Sequence, residues 1–263
     1  MFSFLKRRRH ERLRKVRFTD EERAIVKRNI PYLDRLTRED RRELEGWVRI
    51  FLHEKTFEGC GGLEVTDEMR LTIAAQACIL LLRRTTECYP GLYSVLVYPH
   101  AYVASDARSD GGLIDESPQA RLGQSWSRGS LIVSWDDTLR GAADVHDAHN
   151  VVFHEFAHQL DQIDGTSDGA PVLGERRRYA SWARVLGEAY EELVKRVDRH
   201  KPHDIDAYGA TNPAEFFAVV TEYFFEKPVQ LRKKHPELYD ELRRFYQRDA
   251  AALELEEPES LEG

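Results

Sequence analysis

The sequence predicts an α+β protein, mainly helical with a small mixed sheet, and three observations carry that prediction. Apolar residues recur at the three- and four-residue spacing of amphipathic helices, behind N-cap residues, along most of the chain. Only two short runs, residues 93–103 and 130–135, crowd β-branched and aromatic side chains between Pro, Gly, Ser and Asp. The 263 residues, 41% hydrophobic and 32% charged, are enough for a sizeable core, which excludes a disulfide-stapled miniprotein and a chain disordered throughout.

Taken in order, residues 1–18 form a basic arm whose segment Lys6 to Arg17 is strongly cationic. It reads first as a solvated helix or fraying arm, then as a contact for an acidic partner or membrane surface. Nucleic acid comes last, because no aromatic residues are interleaved. Thr19-Asp20-Glu21-Glu22 starts a short helix that runs to Pro31, with acidic residues in its first turn. Thr37 caps a second, in which Leu44, Trp47, Val48, Phe51 and Leu52 recur at helical spacing until Gly61-Gly62. Thr66 opens a third, whose stretch Leu71 to Leu82 is apolar on nearly every face and so belongs at the centre of the core.

The strand candidates, Tyr93 to Val103 and Ser130 to Trp135, flank a polar stretch from Ser105 to Arg128, expected as a long loop of the kind that often carries function. The second strand is also the expected sheet edge for an extended peptide. Helices are expected over 151–162, 176–199, 213–226 and 237–252, with Pro228 and Pro236 separating the last two. Residues 19–250 thus read as one domain. Residues 251–263 read as an acidic, disordered tail, since Glu254 to Glu262 carries only negative charge.

No stretch approaches the roughly 18–20 uncharged apolar residues of a membrane span. The start lacks an apolar core with a small-residue cleavage site behind it, so a cytoplasmic protein is expected. Three cysteines without a C-x-x-C pair fit a reducing compartment. The net charge of -7 argues against direct nucleic-acid binding by the molecule as a whole.

The chemistry is concentrated in His154-Glu155-Phe156-Ala157-His158, an H-E-x-x-H inside a helix capped by Asn150. At about 100° per residue the two histidines share one face, so both imidazoles can reach a single zinc ion. Val152, Phe156, Leu160 and Ile163 form an opposing apolar stripe. Glu155 projects beside the metal, placed to take a proton from water whose pKa zinc lowers to around 7 and to pass it to the departing amine. His149 reads as part of the helix start and His146 as a surface residue, since neither has the phase to join the pair.

A catalytic zinc wants a third protein ligand. Asp164 stands six residues after His158, where a metzincin would place histidine, so that subclass is excluded. The segment YGATNPAEFFAVVTEYFF offers Glu215 and Glu222, seven apart on one helical face. Glu215 also suits a helix start, with Asn212 as N-cap, Pro213 at the first position and the glutamate reaching back. Glu215 is preferred as ligand and Glu222 as a group behind one, with the reverse left open by the residues alone. Tyr208 is an oxyanion donor or a loop tyrosine beside Gly209. Asp161 accepts a hydrogen bond from a ligand imidazole or is an exposed helix aspartate.

The stretches HNVVFHEFAHQLDQIDG and YGATNPAEFFAVVTEYFF resemble the Mlc titration factor A family of bacterial zinc peptidases and, more distantly, the anthrax lethal factor catalytic domain. The resemblance implies a zincin-like core with His154, His158 and Glu215 holding one zinc ion, Glu155 as general base and Tyr208 facing the substrate. It also implies an aminopeptidase or small-peptide hydrolase, and a partner such as the glucose repressor Mlc, a role to which no residue here can be matched. The rival expectation is a regulatory protein that sequesters a transcription factor around a structural zinc. An intervening Glu155 speaks against a purely structural site.

Overall fold

The computed structural model describes residues 2–100 and 129–255. Its elements run α1 (Phe2–Leu13), α2 (Asp20–Asn29), α3 (Arg38–Glu54), β1 (Thr56–Gly59), α4 (Asp67–Ile79), β2 (Ser94–Tyr98) and β3 (Ser130–Ser134). They continue with α5 (Trp135–Ala143), α6 (Val151–Asp161), α7 (Arg176–Asp198), α8 (Pro213–Glu226), α9 (Pro228–Lys234), α10 (Pro236–Tyr246) and α11 (Ala250–Leu255). No helix among the described residues is long and apolar enough to cross a membrane.

The helix starts lie where capping chemistry puts them. Thr37, Thr66, Asn150 and Asn212 each accept the backbone N–H three residues on, satisfying a donor that the first turn leaves free. The basic segment expected as a solvated or fraying arm includes α1, which is docked on α3. His10 meets Glu54 at 2.7 Å, Lys6 meets Glu87 at 2.9 Å, and the Arg14 guanidinium lies 4.4 Å from the Trp47 ring centre.

The three described strands form one sheet in the order β1-β2-β3, parallel throughout, where a mixed sheet was expected. Phe57 pairs with Val95 and Val95 with Leu131. Parallel neighbours need a crossover rather than a tight turn, and α4 supplies the one between β1 and β2. The strand β2 covers part of the expected 93–103 run, while residues 101–103 and the expected loop from Ser105 to Arg128 lie outside the described residues. The second run ends earlier than expected, because Ser134 caps Asp137 and Trp135 starts a helix.

Helix α4 is buried on nearly every face, as its unbroken apolar stretch requires, and packs against α2, α3, α5 and α6. Across the core Phe51, Tyr89 and Phe156 meet with ring centres 4.8–6.2 Å apart. Helix α8, buried from Phe216 to Glu226, pairs with α6, and Trp182 of α7 wedges between Phe217 and Phe245. The expected helix 237–252 is broken at Gln247, which adopts a left-handed conformation that ends α10 before Asp249 caps α11.

Candidate metal centre

The site is made where α6 and α8 cross. Helical phase brings His154 and His158 to one face of α6, with ring centres 5.0 Å apart. Across from them stands Glu215, at the third position of α8. Asn212 alone caps that helix, accepting the Glu215 N–H at 3.0 Å. This leaves the Glu215 carboxylate to point at the imidazoles: its Oε2 lies 3.0 Å from His154 Nε2 and 3.2 Å from His158 Nε2. Of the two roles weighed for Glu215, the reach back to the Asn212 N–H is not made among the described residues, and the carboxylate faces the imidazoles.

The donor set fits a metal ion. One ligand atom from each of His154, His158 and Glu215 lies within 4.8 Å of the others. Tetrahedral zinc with bonds near 2.0–2.2 Å spaces its donors about 3.3–3.6 Å apart, a few tenths wider than the 3.0 and 3.2 Å seen here. His154 is held from behind as ligation demands, since its Nδ1 meets Glu222 Oε1 at 2.7 Å. The other Glu222 oxygen accepts the Asn150 N–H at 2.5 Å, so one buried carboxylate fixes both the start of α6 and the first imidazole.

The charges are tightly coupled. Burial alone lowers the His154 pKa, but its bonds to Glu215 and Glu222 more than offset this and lift it to about 10. Glu215 moves the other way: burial raises it, yet the two imidazoles bring it down to about 2. The half-buried Glu155 makes no hydrogen bond among the described residues. Desolvation raises its pKa against the pull of His154 and His158. That is the condition of a carboxylate that can hold a proton for part of a reaction.

Tyr208 reaches the site from a single 3-10 turn, Ala207–Ala210, set by the Asp206 side chain accepting the Tyr208 N–H. Its ring centre is 5.9 Å from that of His154. Burial and the nearby charges of Glu215 and Glu155 raise its pKa, so the phenol keeps its proton and remains a donor. His146 and His149 stay outside the cluster. His149 gives its N–H to Glu226, and exposed His146 lies against Arg35.

Asp161 departs from both expectations. It is fully buried rather than exposed, and its Oδ2 accepts the Gly169 N–H at 2.9 Å instead of bonding a ligand imidazole. The Gly169 carbonyl in turn accepts the Trp182 Nε1–H at 2.9 Å. It sits at φ +76 with the space for a Cβ filled by the Pro213 carbonyl, so the loop is clamped on the first residue of α8. Asp161 therefore bears on the helix start that carries Glu215.

Two residues of this environment were missed from the sequence. Glu226, buried on α8, accepts the His149 N–H at 2.9 Å, and burial pushes its pKa to about 9. Gln76, buried on α4, accepts from Asn150 Nδ2 at 3.2 Å and so braces the cap of α6. The signal for Glu226 was legible: two acids four apart in FFAVVTEYFFE must be buried, and buried acids need partners.

Residues 4–247 match the family described as glucose-regulated metallo-peptidase M90. The chain is 44% identical over 225 residues to an uncharacterized protein of Synechocystis, covering 85% of this chain and 82% of that one. It is 34% identical over 227 residues to Mlc titration factor A of Serratia proteamaculans, covering 85% and 86%. The same-named protein of Klebsiella pneumoniae is 34% identical over 224 residues, covering 84% and 83%. With most of its length matched, and with two histidines and a glutamate brought to one point, the chain belongs to the glucose-regulated metallo-peptidase M90 family.

Proposed function

We infer that this protein is a zinc-dependent peptidase of the H-E-x-x-H plus glutamate type, an aminopeptidase or small-peptide hydrolase. The observation that carries the reading is the convergence of His154 Nε2 and His158 Nε2 on Glu215 Oε2 beside a carboxylate, Glu155, that no other group occupies. His154, His158 and Glu215 would hold the ion. When bound, zinc supplies Lewis acidity, polarising the scissile carbonyl and acidifying water at its open position.

The chain's own residues do the rest. Glu155 takes the proton of the attacking water, a step its raised pKa favours, and delivers it to the departing amine. Tyr208 stays protonated and donates to the oxyanion that develops on the carbonyl. Glu222 accepts at His154 Nδ1, so that Nε2 carries the lone pair.

The test is metal content together with hydrolysis of fluorogenic aminoacyl and short-peptide substrates. Wild type should hold one zinc per chain and turn over. Glu155→Gln should keep the metal and lose at least about a hundredfold in kcat, the scale of a general base. Full activity in that variant would overturn the mechanism.

Binding of an Mlc-like transcriptional repressor is a second reading, supported by the name shared by several relatives. It is compatible with the first. Equal repressor affinity in wild type and Glu155→Gln would show binding independent of catalysis, and no binding in either would exclude it.

A further inference from the structure

We propose that the outward face of α1 is a docking surface for anionic lipid bilayers, with Phe4 and Leu5 entering the headgroup boundary and Arg8 and Arg12 lying on lipid phosphates. Helix α1 has two unlike sides. Lys6, His10 and Arg14 are engaged inward, on Glu87, Glu54 and Trp47. At about 100° per residue Phe4, Leu5, Arg8 and Arg12 occupy a sector of about 100° on the opposite side. Phe4 is 62% exposed and Leu5 54%, and Val16, just beyond the helix, is 48% exposed. Three of the five exposed large hydrophobic residues among the described residues are therefore gathered on this one segment.

The charge points to the occupant. Between Lys6 and Arg17 stand eight Lys or Arg and one Glu, in a chain whose net charge is -7. Among the described residues neither Arg8 nor Arg12 has a carboxylate partner. The Arg8 guanidinium instead lies 5.7 Å from the Phe4 ring centre, keeping cation and aromatic side by side. Two apolar side chains ringed by arginines are too little for the apolar core of a protein interface of about 800 Å² per partner. A nucleic-acid backbone would use the arginines and leave Phe4 and Leu5 in water. An anionic bilayer uses both, since its surface attracts the guanidinium groups and its acyl boundary takes the apolar tips.

The experiment is co-sedimentation of the full chain with vesicles of phosphatidylcholine alone or with about a third phosphatidylglycerol, at about 0.05 M and again at about 0.5 M salt. The expected result is partitioning onto the anionic vesicles only, reduced at the higher salt. Arg8→Glu/Arg12→Glu should weaken it at least about 30-fold and Phe4→Ser/Leu5→Ser at least about tenfold. Both variants should keep the wild-type circular dichroism, melting temperature and metal content, since none of the four residues touches the core or the metal centre. Absence of binding to anionic vesicles at low salt, or equal binding to neutral ones, would overturn the proposal. So would loss of binding in the charge variant with no loss in the apolar variant, which would show attraction by charge alone without entry of Phe4 and Leu5.

Discussion

Replacing Glu222 separates the metal centre from the packing around it. Glu222 is 3% exposed, and its carboxylate carries two bonds, to His154 Nδ1 at 2.7 Å and to the Asn150 N–H at 2.5 Å. Glu222→Ala strands both donors in the interior, at about 1–3 kcal/mol each, so a loss of about 2–6 kcal/mol in unfolding free energy is expected. Glu222→Gln keeps the volume, and its amide oxygen can still accept from Asn150. Its NH2 then faces Nδ1, which must become the acceptor, and the ring proton moves to the Nε2 that ligation needs free. The glutamine variant should therefore fold with a smaller stability loss yet bind zinc about 10–100-fold more weakly, or about 1.4–2.7 kcal/mol. Urea unfolding of the metal-free proteins and zinc competition against a chromophoric chelator measure the two effects separately. Wild-type zinc affinity in Glu222→Gln would refute the claim that Glu222 sets the imidazole's tautomer.

Three further outcomes follow from the same geometry. Gly169→Ala puts a methyl group against the Pro213 carbonyl at a positive φ; it should cost about 1–3 kcal/mol and also weaken zinc binding by displacing the start of α8, which melting curves and zinc titration would show. Tyr208→Phe should retain the metal and lower kcat about 100-fold or more with little change in KM, and an unchanged kcat would remove the tyrosine from the reaction. Zinc binding should release a proton at neutral pH, because His154, with a pKa near 10 in the metal-free protein, must lose one to ligate. Affinity should then rise with pH up to about 10, and calorimetry in buffers of different ionisation enthalpy counts the proton. The sign for stability is opposite: the raised His154 pKa stabilises the metal-free fold fully below its unfolded value of about 6.5, and this is lost as pH climbs through about 10.

Much of this site could be read from local rules. The phase of H-E-x-x-H, the Asn150 cap and the Asn-Pro start of α8 are all properties of a few consecutive residues, and each appears where those rules put it. What escaped was set by distant partners. Strand β1 has only four residues, mostly exposed, and exists because β2 pairs with it. Helix α5 did carry a signal, Ser134 before Asp136 and Asp137, but it was hidden behind a β-branched run that ends at the same serine. Asp161 could not be placed, because its partner Gly169 belongs to a loop whose path depends on Trp182 and Pro213.

The acids of α8 explain how the candidate metal centre is accommodated inside a packed core. Glu215, Glu222 and Glu226 stand at intervals of seven and four, hence on one face. Down that face they meet α6 in reverse order, Glu226 at His149, Glu222 at Asn150 and His154, Glu215 at His154 and His158. Two of these carboxylates satisfy backbone donors that the start of α6 leaves free, so the polar groups that would make a buried helix terminus costly are consumed by the partner helix. The third, at the far end, is left facing the two imidazoles. The same antiparallel crossing that packs Phe153 on Phe225, with ring centres 5.3 Å apart, therefore also fixes the spacing of the three donors. Preorganisation here comes from core packing, with none of the three candidate donors carried on a long loop.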